Sequence, residues 1–209
     1  MLGKRLINSN SAAAGGSCTT DTLQILGDTS CVAYYKMSDA TDESGNYDGT
    51  PTSVNFNVAG KFGNAGEFNG SSSKIEASSL SISGNTSFSF SLWVKTNDVS
   101  TEQWIIQYGA STGDATLYLQ LDSNGFSVNN YTTGQYFPLS ITANNWYHCV
   151  IGYDSSASEI FIQVNNGTRV TKSATVNISS SNLLIGHRSG ASSYLNGSID
   201  QVRIFNKAL

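Results

Sequence analysis

From Cys31 onward the chain is a succession of short apolar and aromatic runs, each closed by Gly, Asn, Asp or Ser, and this punctuation confines it to an all-β fold. Strand-like runs fall at 32–37, 50–56, 66–68, 74–76, 87–95, 104–108, 116–121, 125–129, 146–153, 159–164, 182–185 and 199–205. No helical periodicity, heptad or internal repeat competes with them. Phe88, Phe90, Leu92 and Val94 alternate with Ser89, Ser91, Trp93 and Lys95, so the first set faces one side of a strand and the second the other. A Trp among serines implies that the second side is either covered too or is a binding face. Asp122-Ser123-Asn124-Gly125 and Asn165-Asn166-Gly167 supply residues that tolerate φ > 0, which tight antiparallel hairpins require.

The 209 residues suit one sandwich with an extension, since all-β sandwiches of about 200 residues form single units. At 39% hydrophobic residues the chain is too apolar for wholesale disorder. A net charge of −4 with scattered basic residues argues against a nucleic-acid partner, which needs a clustered basic face. No apolar run approaches the ~20 residues of a membrane span. Lys4 and Arg5 followed by Ala12 to Ala14 imitate a signal peptide, but only Leu6 and Ile7 stand where an apolar core of ~7–15 residues is needed. Export by the usual route is therefore not expected. It follows that Asn69, Asn85, Asn130, Asn166, Asn177 and Asn196, which all head Asn-x-Ser/Thr triplets, should stay bare. Cys18 and Cys31 are close enough in sequence to bridge, but free thiols are the expectation, with Cys149 a small buried core residue.

Five segments in order carry a resemblance. They are CVAYYKMSDATDESGNYDGT (31–50), GKFGNAGEFNGSSSKIEA (60–77), FSFSLWVKT (88–96), NNWYHCVIGYDSSASEIFIQVNNGT (144–168) and LLIGHRSGASSYLNGSIDQVRIFNKAL (183–209). In this order they resemble the laminin-G-like, concanavalin A-like jelly roll. The resemblance implies an antiparallel two-sheet sandwich over 31–209, with residues 1–30 left as an N-terminal arm or anchor. Its geometry favours burial of Trp93. The arm and its Gly-Lys-Arg-Leu-Ile-Asn stretch are similar to small virion-associated proteins of marine tailed phages. That likeness implies a virion surface or appendage protein, in capsid decoration, collar or tail fibre, docked to other virion proteins through residues 1–30 and forming a homo-oligomer in some settings. The alternative it leaves is a bacterial secreted or cell-surface lectin module.

The fold hosts lectins, hydrolases and structural modules alike, so activity has to be argued from sites. A glycosidase needs two opposed carboxylates ~5–9 Å apart. No Glu-x-Asp or Asp-x-Glu run occurs, and the five glutamates are isolated. A Gln-Ile/Val-His strand, a Gly-x-Ser-x-Gly elbow and phosphate-cradling Gly motifs are likewise missing, and His148 and His187 have no zinc-ligand spacing around them. The expectation is a protein without enzymatic activity.

Asp42, Ser44, Asn46 and Asp48 alternate in a Gly-containing loop and could aim oxygens at one Ca²⁺, or equally make Asx turns with their own backbone. The family resemblance adds Asp200 to that candidate set, with Gln201 standing where an acidic residue is frequent. For saccharide or partner binding, aromatic rings beside polar groups are the signal. The candidates are Tyr131, Tyr136, His187, Arg188 and Tyr194, with host glycans as the implied ligand; for Tyr131 and Tyr136, packing and protein contact remain open beside it.

Overall fold

The computed structural model describes residues 29–209 apart from 138, 180 and 191. The arm assigned to residues 1–30 therefore lies, save its last two residues, outside the described residues, as does Cys18. In chain order the strands are β1 (Cys31–Tyr35), β2 (Gly49–Thr52), β3 (Asn55–Ala59), β4 (Asn64–Asn69), β5 (Lys74–Ala77), β6 (Phe88–Thr96), β7 (Gln103–Gly109), β8 (Thr116–Asp122), β9 (Gly125–Asn129), β10 (Gly134–Tyr136), β11 (Trp146–Asp154), β12 (Glu159–Val164), β13 (Val170–Ser173), β14 (Leu183–Ile185) and β15 (Asn196–Phe205). They form two antiparallel sheets. The first runs β13-β12-β11-β6-β15-β4-β3 with β1 also on β15, and the second runs β10-β9-β8-β7-β14-β5-β2.

The period-two pattern positions the core. Phe88, Phe90, Leu92 and Val94 of β6 are fully buried with Cys149, Ile151 and Tyr153 of β11, against Ile106, Tyr108, Leu117, Leu119 and Leu121 of the second sheet. Each such side chain contributes about 1.5–3 kcal/mol on burial. Cys149 is free and buried as expected, and burial pushes its thiol pKa up.

Three expectations are corrected. The run 50–56 is not one strand: Ser53 takes a left-handed φ of 52°, and the chain passes from β2, paired with β5, to β3, paired with β4 in the other sheet. The strands β10 and β13 went unread because each is an edge strand with one neighbour and largely exposed side chains, so neither alternates visibly. Cys31, expected as a thiol, is disulfide-bonded.

β15 ties the first sheet together. Its first half pairs with β4 and its second with β1, while its other edge pairs with β6 on both sides of a bulge between Asp200 and Arg203. Gln201 at φ 54° makes that bulge. Gly197 sits where β15 is squeezed between neighbours: a Cβ there would lie 2.1 Å from the Lys95 carbonyl oxygen, which is backbone and cannot move aside. Gly197→Ala is therefore expected to cost about 1–3 kcal/mol or more, read as a lower urea midpoint with an unchanged slope.

Candidate functional site

The side of β6 that carries Ser89, Ser91, Trp93 and Lys95 faces away from the core, and β11 presents Trp146, His148 and Val150 on the same face. Register sets Trp93 opposite His148 and Lys95 opposite Trp146, so the two indoles are diagonal neighbours. The Trp93 ring lies 5.1 Å from the His148 ring. Ser91 Oγ and His148 Nε2 are 2.9 Å apart. Burial, and after it the Arg203 charge, holds the imidazole pKa below its ordinary value, so near neutral pH it is an uncharged hydrogen-bonding group.

The β3–β4 turn closes one side of this face. Gly60 N–H donates to the Gly63 carbonyl at 2.8 Å, which swings Lys61 and Phe62 over the sheet. Phe62, 57% exposed, meets Trp93 edge-on at 5.9 Å, and the Lys61 ammonium stands 4.7 Å from the Trp93 ring centre. On the other side is the turn of the β12–β13 hairpin. Asn165 and Asn166 have φ of 51° and 56°, as the Asn-Asn-Gly turn predicts. Asn165 Oδ1 accepts the His148 N–H at 2.9 Å, while the Asn166 side chain has no partner among the described residues. Lys61, Trp93, Trp146, His148, Asn165 and Asn166 line an open groove of about 420 Å³. Trp93 is thus half-buried on a solvent-facing groove, which corrects the expectation of burial: the turn that overhangs it shields one edge and leaves the rest open.

Asp200 holds that turn. It is fully buried, sits opposite Trp93 on β15, and its Oδ2 accepts the Phe62 N–H at 2.7 Å. Burial raises its pKa, against which the backbone hydrogen bonds act. This role separates it from the loop with which it was grouped. Asp42, 1% exposed, spends Oδ1 on the N–H groups of Tyr34 and Ser44 and Oδ2 on those of Asn46 and Tyr47 and the Ser44 hydroxyl. Asp48 Oδ1 accepts the Asp42 N–H at 2.9 Å. A carboxylate encircled by donors suits its own negative charge and does not offer oxygens to a cation, and among the described residues no three His, Cys, Asp or Glu converge on a metal-sized point. The donor set does not fit Ca²⁺.

The residues predicted for saccharide or partner contact fall elsewhere, on the outer face of the second sheet. Arg188 donates through Nη1 to the Tyr131 hydroxyl at 2.9 Å and lies over the rings of Trp104 and Tyr131, at 3.9 and 5.2 Å. Trp104 and Tyr118 pack 4.2 Å apart beneath it. Burial pushes the Tyr118 pKa up to about 12. His187 and Tyr194 stack at 4.2 Å and 10°. Tyr136 turns away to donate to Asp122 Oδ2 at 2.6 Å. Four of the five predicted residues are therefore brought into one region, where Tyr131, 36% exposed, carries Arg188 on its ring and His187 and Tyr194 cover one face of each other. The groove residues Lys61, Phe62, Lys95, Trp146 and Asn166 were missed. The signal for Trp146 was present: the parity that places Tyr147, Cys149 and Ile151 inside places Trp146 beside Trp93.

Asp200→Ala is expected to free the Gly60–Gly63 turn, which will show as a red-shifted, more quenchable tryptophan emission and a stability loss of about 1–3 kcal/mol. Asp200→Asn, which keeps an acceptor, should retain the emission; equal spectra for Asp200→Ala and the parent would remove the anchoring role.

A family model for the concanavalin A-like lectin/glucanases superfamily matches residues 69–209. No curated protein matches the chain. Among solved structures, domain 4 of AbnA, a GH43 extracellular arabinanase from Geobacillus stearothermophilus in complex with arabinotriose, is similar with a TM-score of 0.69 at 22% identity, covering 86% of this chain and 94% of that one. The binding domain of botulinum neurotoxin serotype D gives 0.67 at 16% identity, over 86% of this chain and 48% of that one. Trypanosoma rangeli sialidase in complex with sialic acid gives 0.66 at 17% identity, over 86% and 31%. These identities carry the fold alone, and they agree with the two-sheet sandwich. The chain belongs to the concanavalin A-like lectin/glucanases superfamily.

Proposed function

We propose that this domain is a non-enzymatic glycan-binding module that engages saccharide through the groove on the outer face of its first sheet. The observation that carries the reading is the pair of half-buried indoles, Trp93 and Trp146, set diagonally on adjacent strands and lining the groove. Indole faces stack on the apolar face of a pyranose, while amides and an uncharged imidazole at the rim meet its hydroxyls. Asn165, Asn166 and His148 supply those groups. None of the six lining residues is a carboxylate, so the groove holds no acid and base pair of the kind glycoside cleavage uses. Domain 4 of the arabinanase, matched over 94% of its length, is a complex with arabinotriose, which supports a saccharide as the ligand class.

The test is titration of immobilised polysaccharides with the parent, Trp93→Ala and Trp146→Ala. Each variant should lose about tenfold in affinity while keeping its melting temperature within a few degrees, and the parent should release no reducing ends. Parent-like binding by both variants would move the site elsewhere, and release of reducing ends would make the domain an enzyme.

The setting we propose is the surface of a virion, with residues 1–30 docking the domain to other virion proteins. The support for it is the resemblance of the N-terminal stretch, and the disulfide at Cys31 accords with work outside a reducing cytoplasm. The chain should sediment with intact particles and lose that association when residues 1–28 are deleted. A chain that stays soluble in both forms would favour a secreted lectin module instead.

A further inference from the structure

We propose that the Trp93–Trp146 groove selects anionic saccharides, glycans whose sugar rings carry a carboxylate or a sulfate. The inference rests on the glycan-binding reading and deepens it. Both indoles are attended by a lysine: the Lys61 ammonium lies 4.7 Å from the Trp93 ring centre and the Lys95 ammonium 5.3 Å from that of Trp146. Neither lysine is in an ion pair; the ion pairs among the described residues are Lys36 with Glu43 and Lys74 with Glu76, which use other side chains. Two uncompensated cations on one groove are notable in a chain of net charge −4.

The groove is lined by no acidic residue. Asp200, opposite Trp93, is fully buried beneath the Gly60–Gly63 turn, where its Oδ2 accepts the Phe62 N–H, and it is not among the groove's lining residues. Arg203, two positions past the bulged Gln201, adds positive potential that His148 already registers.

The geometry also discriminates between ligands. A lysine over an indole face occupies the surface on which a sugar would stack. A neutral sugar has to displace the ammonium and gives it nothing in return. An anionic sugar draws the ammonium off the ring to its own charge, which opens the indole face and pairs the cation in one motion. The flexible four-carbon stem of lysine permits that movement. Phe62, edge-on to Trp93 at 5.9 Å, remains as the wall of the platform.

The experiment is calorimetric titration of the whole chain with three probes: an oligogalacturonate, a sulfated galactan oligosaccharide without carboxylate, and a neutral galactan oligosaccharide. The parent should bind at least one anionic probe more tightly than the neutral one, with affinity falling as salt rises. The Lys61→Gln/Lys95→Gln double variant should narrow the anionic-to-neutral affinity ratio about fivefold to tenfold, through loss for the anionic probe and relief of ammonium displacement for the neutral one. The two lysines are solvent-facing, and an unchanged melting temperature verifies the fold of the variant. Which anionic probe responds tells carboxylate from sulfate. Equal binding of all three, or anionic binding untouched by the double variant, overturns the selectivity and leaves the glycan-binding reading standing. Absence of binding to every probe and to the immobilised polysaccharides overturns both.

Discussion

The bulge in β15 is the constraint on which the rest of the first sheet depends. Two strands, β1 and β4, must share one edge of β15, and the extra residue at Gln201 lets the strand shift register while it keeps β6 on its other edge. The same bulge fixes Asp200 at the point where the β3–β4 turn passes over the sheet, and the Asp200 carboxylate then determines where Lys61 and Phe62 sit relative to Trp93. A local backbone irregularity thereby positions a side-chain groove two strands wide. Bulges are common where a sheet must aim a side chain, and this one aims an anchoring carboxylate.

The sandwich presents two aromatic clusters, one on each outer face, and they differ in how their surface is used. On the second sheet Trp104, Tyr118, Tyr131 and Arg188 pack on one another: the guanidinium is stacked, the Trp104 indole N–H donates to Glu102, and Trp104 is only 3% exposed. Such a cluster stiffens the loops that carry Tyr131 and Arg188. On the first sheet the indoles remain half-exposed, and the groups beside them are held by backbone rather than by one another. Asn165 is fixed by the His148 N–H, and Phe62 by Asp200. Rigid framing of rings that only a mobile lysine covers is an arrangement suited to a recognition surface.

Much of the fold was legible because strand alternation and turn chemistry are local. The inward set on β6, the Asn-Asn-Gly hairpin and the closing run 199–205 follow from residues within a few positions of one another. What resisted reading depends on distant partners. Nothing near Ser53 announces that the chain changes sheets there, and edge strands such as β13 have no second neighbour to impose a pattern. The groove was only half legible for the same reason. Trp93 stood out among serines, but its neighbours Trp146, Lys61 and Phe62 come from 53, 32 and 31 residues away, through a register and a turn anchor that local sequence does not encode. Tyr131 and Arg188 read as ligand contacts by composition, and the Trp104 ring that occupies Arg188 lies in a strand whose outward face was not considered.

The position of β15 also bears on how the protein is made. The first sheet has β6, β4 and β1 all waiting on residues 196–205, and Cys31 at one end of the fold pairs with Phe205 at the other. During synthesis these earlier strands emerge from the ribosome with unpaired edges and a half-built core, and no nascent chain short of that last strand can complete the sheet. Folding is thereby postponed until translation of the domain is nearly over, and throughout that interval the exposed edges are open to pairing with other chains. A domain that gains its rigid groove from a late-arriving central strand thus depends, while it is being made, on whatever keeps nascent chains apart.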